Sequence, residues 1–490
     1  MMRKKPGKEE QVPIEEIITR STDFLQRQYK NIKTGVTFHL SYFSTLVDER
    51  IVQRDVLPYL LERNFEFIND VTALVPAANM KVETDPAKLE LALMTGNILL
   101  TVDSDPGQYA LMEIKTPNVR TISIPEVEFS VIGPKEAFVE SLVLNTNMVR
   151  RRLPIKELVT EEITVGSLSK TRCSVLYIEG IADPENVKTI TDRMNSIKID
   201  TVIDSSYIVQ MISDNQHSPF PQLLDTERPD RVVSALTEGS IAVLVDGSPH
   251  AIIGPTTLGE FFNAFDDYFL NWVLASFFRI IRLFAILFSF LITPIYVAVL
   301  TFHYELIPKD LLSTLVSSRR LIPLPPILEA LFLELTIELL REAGARLPTK
   351  VGQTIGIVGG IVIGTASVEA GLTSNVLLIF VALAGLASFT APVYKMGNTI
   401  RLLRFPFLLF AAVWGLLGIV FCFCILLTHL IRLTSLNRPY LEPYYPPRLS
   451  DNKDAVIRLP FNMQKTRPKF LRPLNPIRSN PKKNNKDIDE

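Results

Sequence analysis

Long uncharged apolar runs appear only in the second half of this chain. Residues 283–301, LFAILFSFLITPIYVAVLT, and residues 405–427, FPFLLFAAVWGLLGIVFCFCILL, carry no charged side chain. About 20 apolar residues are enough to cross a bilayer as a helix. Before them come some 270 residues of mixed polar sequence. A chain built this way is expected to be an α+β membrane protein. Its N-terminal half should form two α/β-type subdomains in the cytoplasm, followed by a helical transmembrane domain of four to five spans.

The first residues, MMRKKPGKEEQVPIEE, are basic with no apolar stretch behind them, so they do not read as a secretory signal. The balance of 51 basic to 52 acidic residues argues against a nucleic-acid binder. Cys173 is alone in the polar half, and Cys422 and Cys424 sit two residues apart in an apolar run, where they point in different directions on a helix. No disulfide framework, metal spacing or cofactor motif is visible. The five histidines, His39, His217, His250, His303 and His429, are scattered, and the Asp246-Gly247-Ser248-Pro249 segment lacks the pattern of a nucleophile elbow. The chain is therefore not expected to be an enzyme.

Two stretches of the polar half read as copies of one unit, beginning at Val36 and Cys173. In each, a β-rich run (36–42 and 174–179) turns at an Asp and continues at helical spacing. Asp48 and Asp183 are placed as N-caps, and Pro184 suits a first helical position. Further strands are expected at 98–102, 127–132, 199–203 and 241–245, with loops at 133–154, 218–231 and 246–255. The expected divisions are a flexible N-terminus (1–19), subdomains at 20–125 and 126–255, an interfacial amphipathic helix at 256–282, the membrane domain at 283–435 and a Pro/Lys-rich tail at 436–490, disordered beyond 449. Arg150-Arg151-Arg152 reads as a solvated face, with anionic headgroups as the alternative partner.

Within the membrane half, Arg279 and Arg282 precede the first run and favour a cytoplasmic N-terminal side. Pro294 is expected to kink that span. Glu334, Glu338 and Glu342 recur every fourth residue and share one helical face; Glu329 lies on another. Such a helix either lies at the surface or turns its carboxylates to a cation path. Gly352, Gly356, Gly360 and Gly364, widened by Gly359, form a ridge for close helix packing. Glu369 at its end reads first as a turn residue, with an ion-pathway role as the alternative. Topology is left open. If the Glu-rich segment does not cross, the tail is cytoplasmic but Lys395, Arg401 and Arg404 fall outside; if it crosses, those cations are inside and the tail exits.

The order EFSVIGPKEAFVESLVLNTNMVRRR, SPFPQ…TERPD, DGSP, LREAGARLP…VGQTIGIVGGIVIG, ASFTAP and RLLRFP resembles the A subunit of spore germinant receptors, the GerA family, from about residue 20 to 450. The resemblance marks the loop residues Ser218, Pro219, Phe220, Pro221, Glu227, Arg228, Pro229, Asp230, Asp246 and Gly247 as family motifs. It implies a multi-pass protein of the spore inner membrane. It further implies a ring-shaped homo-oligomer, a pentamer, acting as a nutrient-gated cation channel. The implied partners are a transporter-like, nutrient-binding B subunit and a lipoprotein C subunit. A non-conducting scaffold or signal-relay subunit is the rival reading.

Overall fold

The computed structural model describes residues 20–76, 80–114, 125, 128, 132–347, 349–448, 451, 454 and 456–478, with side chains of 349–358 excepted. The expected flexible segment 1–19 and most of the expected strand 127–132 lie outside the described residues.

Two five-stranded antiparallel sheets fill the first half. In the first, β1 (Phe24–Lys30), β2 (Thr37–Phe43), β3 (Met80–Glu83), β4 (Asn97–Val102) and β5 (Tyr109–Glu113) are ordered 1-2-4-5-3. In the second, β6 (Leu158–Val165), β7 (Thr171–Ile178), β8 (Leu224–Thr226), β9 (Ile241–Val245) and β10 (Ala251–Gly254) are ordered 6-7-9-10-8, the same order strand for strand. The repeat seen at Val36 and Cys173 is therefore a repeated topology, with both stretches supplying the second strand. The units read as α/β-type have no parallel ladder among the described strands. Asp48 and Asp183 do cap helices, their carboxylates accepting the N–H of Arg50 and Glu185 at 3.0 Å.

Several expectations are corrected. Segment 199–203 is no strand; it runs irregularly toward Asp204, the cap of helix Ser205–Ile212, and gives two carbonyls to Ser167 and Leu168. Segment 133–154, read as a loop, contains helix Leu142–Arg152. Its Asn145 spends its amide on the Val139 backbone, so a polar residue is buried at no loss. Segment 246–255 contains β10, and 218–231 contains β8 and the start of helix Pro229–Glu238. Arg150 is not solvated. It is 2% exposed, bonds bidentately to Asp23 at 2.6 Å and stacks on Phe43 at 4.4 Å, pinning the first sheet to this helix.

The expected interfacial helix at 256–282 is not a separate element. Two 3₁₀ turns, Leu258–Phe261 and Phe265–Phe269, lead to Asn271, which caps a helix running from Trp272 to Phe302 through Pro294. The described tail is ordered rather than extended free chain. Tyr440, Phe470 and Leu471 are buried, and Arg438 reaches Asp183 at 2.7 Å.

Two helices, Trp272–Phe302 and Tyr394–Arg432, are long and apolar enough to cross a membrane, and Asn375–Ser388 is a shorter apolar helix. The second is not one rod. Gly415 adopts φ +62°, ψ −140°, a conformation that a side chain would strain, and the helix reverses there. Beyond the reversal, Phe410 and Phe421 have ring centroids 6.0 Å apart. At the far ends, Thr399 and His429 bond to the adjacent residues Pro219 and Ser218, whereas in a straight helix 30 residues would separate them by about 45 Å. The run 405–427, read as one crossing, is thus the upper half of a helical hairpin with legs 394–414 and 416–432. Its tip meets Phe302 and His303 at the end of the first long helix.

Between these elements lie helices Lys309–Arg319, Pro326–Ala345 (the acidic helix), Thr349–Glu369 (the glycine helix) and Asn375–Ser388. Side-chain pairs fix their directions. Tyr296 meets Ser374, Thr293 meets Glu334, and Arg341 meets Ser388, so the acidic and short helices run back toward the sheets. Gly359 faces Leu340 and Gly364 faces Leu378, so the glycine helix runs away from the sheets between them.

Candidate functional site

Where the second sheet meets the helices, each residue of the Ser218–Pro221 loop holds a partner on the hairpin or the tail. Ser218 Oγ lies 2.8 Å from His429 Nε2 on the second leg of the hairpin. The Pro219 carbonyl accepts Thr399 Oγ1 of the first leg at 2.5 Å. Phe220 packs on the His429 ring, and the Pro221 carbonyl accepts the Tyr440 hydroxyl of the tail at 2.7 Å. Two prolines fix φ here, which holds this chain of acceptors in place. Lys395, at the start of the hairpin, forms an ion pair with Asp225.

The next motif carries the link to the first long helix. Arg228 is 2% exposed; it bonds to Asp230 at 2.7 Å and Asp266 at 3.2 Å and stacks on Phe265 and Phe269. Pro229 and Asp230 occupy the first helical turn, where Pro is tolerated and an acid is favoured. Glu227 lies 3.2 Å from His250, and that hydrogen bond holds the imidazole above its usual range despite partial burial. Asp246 accepts the N–H of Leu142 at 3.1 Å, and Gly247 donates to the Glu140 carbonyl at 2.7 Å, so this turn seats the start of helix Leu142–Arg152. Every motif loop singled out in the sequence is a joint between elements.

At the root of the first long helix, Arg279 and Arg282 turn inward. Both bond to the buried Asp267, at 3.1 and 3.0 Å. Arg279 also reaches Asp454 at 2.8 Å, and Arg458, 2% exposed, donates to the Asp267 and Leu270 carbonyls at 2.6 and 2.8 Å. The sequence reading missed Asp454 and Arg458, because nothing in a Pro- and Lys-rich tail marks which charge is paired at long range.

The four carboxylates of the acidic helix differ sharply. Glu334 is buried, paired with Arg404 and bonded to Thr293 at 2.9 Å; Arg404 also reaches Ser289 at 3.1 Å. Glu329 is buried, 2.7 Å from Arg319 and 3.2 Å from the Ser374 N–H. Glu338 lies 3.6 Å from both Arg341 and Arg401. Glu342 is exposed beside Arg346, and Glu369 is exposed at the end of the glycine helix. Of the glycines, Gly359 and Gly364 face side chains of this chain and Gly360 faces open space; the surroundings of Gly352 and Gly356 lie outside the described side chains.

Among the described residues no three His, Cys, Asp or Glu side chains cluster to hold a metal ion. Burial pushes the Cys173 thiol up to about 12, which leaves it unreactive at neutral pH. The arrangement joins the sheets, the long helices and the tail through paired and buried polar groups.

Proteins similar to this chain are known. A family model described as "Bacillus/Clostridium GerA spore germination protein" matches residues 13–470. Spore germination protein GerQA of Bacillus cereus is 50% identical over 466 residues, 95% of this chain and 93% of that protein. Spore germination protein A1 of Bacillus subtilis (strain 168) is 38% identical over 92% of each chain. The uncharacterized membrane protein YfkQ of the same strain is 36% identical over 91% of this chain and 88% of its own. Among solved structures, the N-terminal domain of the A subunit of the Bacillus megaterium spore germinant receptor GerK3 aligns at 30% identity and a TM-score of 0.38, over 49% of this chain and 91% of that one.

Proposed function

The chain belongs to the GerA family of spore germination proteins, and on that premise we propose that it is the A subunit of a germinant receptor in the spore inner membrane, a ring-shaped homo-oligomer that forms a nutrient-gated cation channel. A transporter-like B subunit and a lipoprotein C subunit complete the receptor. The sheets, at 20–125 and 126–255, lie in the cytoplasm. The helical region makes six passes, more than the four to five expected, because the last apolar run is a hairpin. This count puts Lys395, at the start of the hairpin, and the tail on the same, cytoplasmic side, as the positive-inside rule prefers, while Arg404 lies within the helical layer, neutralised by Glu334.

One observation carries the channel reading. Within the glycine helix, residues 351–368 hold no charge, and Gly360, Ile361, Val362, Thr365 and Ala366 are exposed in the single chain. Exposed carboxylates, Glu342 and Glu369, stand toward its two ends. Small residues permit copies of this helix to approach around an axis, and acids at the mouths concentrate cations. Glu334, neutralised by Arg404, belongs to the scaffold of each subunit. Glu338, Glu342 and Glu369 remain as the carboxylates of the path.

The neutralised Glu334 is also what favours the second reading, a non-conducting relay subunit. Planar-bilayer conductance of the purified protein, alone and with B and C subunits, separates the two. Cation-selective current reduced by Glu342→Gln/Glu369→Gln supports the channel. Silence in every combination, from oligomers intact on native gels, supports the relay.

A further inference from the structure

An open groove of about 530 Å³ runs along the second leg of the hairpin, bounded by Phe421, Cys424, Ile425, Thr428, His429 and Arg432 and closed at one end by Asn215 of the second-sheet subdomain. Its two ends differ in chemistry. At the sheet end stand Arg432, exposed and without a carboxylate partner among the described residues, His429, and the exposed Asn215. Asp214, the nearest acid in sequence, is already bonded to Arg193, Thr434 and the backbone N–H groups of Leu436 and Asn437. Its charge is therefore spent, and Arg432 remains free for an outside anion. Arg432 and His429 also sit in the last turn of the helix, so the carbonyl ends there add no positive charge and the guanidinium is the main attraction. Toward the hairpin tip the wall becomes apolar and continues into Leu417 and Val420, which are exposed.

A cation and amide donors at the level of the sheet subdomain, with an apolar wall of about 15–20 Å rising from them along the helix, match one class of molecule. We propose that this groove binds an anionic phospholipid of the leaflet facing the sheets, with Arg432, His429 and Asn215 taking the phosphate and Phe421 and Ile425 flanking an acyl chain. The lipid would sit against the same leg whose His429 is held by Ser218, so its binding bears on the joint between sheets and helices. The inference rests on reading the hairpin as membrane-embedded.

Native mass spectrometry of the full chain in detergent, titrated with phosphatidylglycerol, phosphatidylcholine or inorganic phosphate, tests it. One phosphatidylglycerol per chain is expected to be retained with about fivefold preference over phosphatidylcholine, the effect of one basic residue at a membrane surface. Arg432→Gln should erase the preference and Arg432→Lys should keep most of it, with both variants eluting as the parent does in size exclusion. Equal retention of the two lipids, or a preference untouched by Arg432→Gln, overturns the site. So does displacement of the lipid by inorganic phosphate at equal concentration, since the apolar wall would then contribute nothing. A second chain seated on the groove, seen as lipid-free oligomers that dissociate in Arg432→Gln, also overturns it. A chain that stays monodisperse without detergent and retains neither lipid would instead sink the membrane reading beneath it.

Discussion

The two sheets share a strand order and differ in what covers them. In the first, β4 and β5 alternate buried and half-buried positions; one face is fully covered, and the other is covered only in part by helix Pro86–Met94, whose Leu93 and Met94 join Phe43 in a small cluster against which Leu99 packs. In the second, every residue of β9 and β10 is buried. One face carries Leu176, Leu244 and Ile253 into a core continuous with Phe261, Phe290 and Phe407 of the helical region. The other packs Val175, Val243 and Ile252 against Ile190, Met194, Ile208 and the tail residue Leu436. The same topology thus serves once as a peripheral module and once as a hub. What distinguishes the second is that both faces are fully covered, one by the helical region and one by helices and the tail, so that close packing links the two layers through it.

Removing charge from inside the hub should have the largest effect. Arg228→Ala leaves Asp230 and Asp266 without their guanidinium between the second sheet and the elbow before the first long helix. Loss of one partner of a buried pair costs about 3–5 kcal/mol. Thermal unfolding of the full chain should show it, whereas Arg54→Ala, an exposed pair on the first module, should change nothing measurable. An equal small effect of both would mean the second sheet is no hub.

The next contrast uses apolar residues. Leu244 in β9 is fully buried, and Leu99 in β4 is half-buried. Leu244→Ala should destabilise by about 2–5 kcal/mol. Leu99→Ala should cost less than half as much, since part of its cavity opens to water. Arg150→Ala sharpens the comparison from another side. It should loosen the first module from the second, with limited proteolysis separating the two faster than in the parent while the second module's protection is unchanged.

How much of this was legible in sequence depends on range. Asp48, Asp183 and Pro184 declare helix starts because capping is decided within three residues. The IAVLV run at 241–245 declared a strand; its burial on both faces came only with the structure. Arg150 did not declare itself, since its partner Asp23 lies 127 residues away. Nor did the tail, whose composition suits disorder while its ordering comes from individual long-range pairs such as Arg458 with the elbow. Gly415 is the clearest case. A glycine inside an uncharged apolar run is ordinary in a membrane helix, and only its positive φ turns one crossing into two.

The smallest expected effect, and the finest test of the hub, is its pH dependence at His250. This imidazole sits at the joint with Glu227 as its hydrogen-bond partner and Asp225 and Asp204 as nearby acids; Lys395 and Glu128 border the same pocket. The bond to Glu227 raises its pKa above the unfolded value of about 6.5. A group whose folded pKa is raised contributes stability that is complete below the unfolded pKa and disappears as pH rises through the folded one. The parent should therefore lose a little stability as pH rises from below about 6.5 through the raised folded value, a small effect because the pair is partly exposed. His250→Gln, which keeps a donor toward Glu227 but does not titrate, should flatten that part of the profile, measured as melting temperature against pH in matched ionic strength. The half-buried His39 of β2, which lies 3.1 Å from Asp103 in the first module, is the matched control. If His39→Gln flattens the profile as much as His250→Gln does, the pH response belongs to histidine pairs in general and the second sheet has no special claim to it.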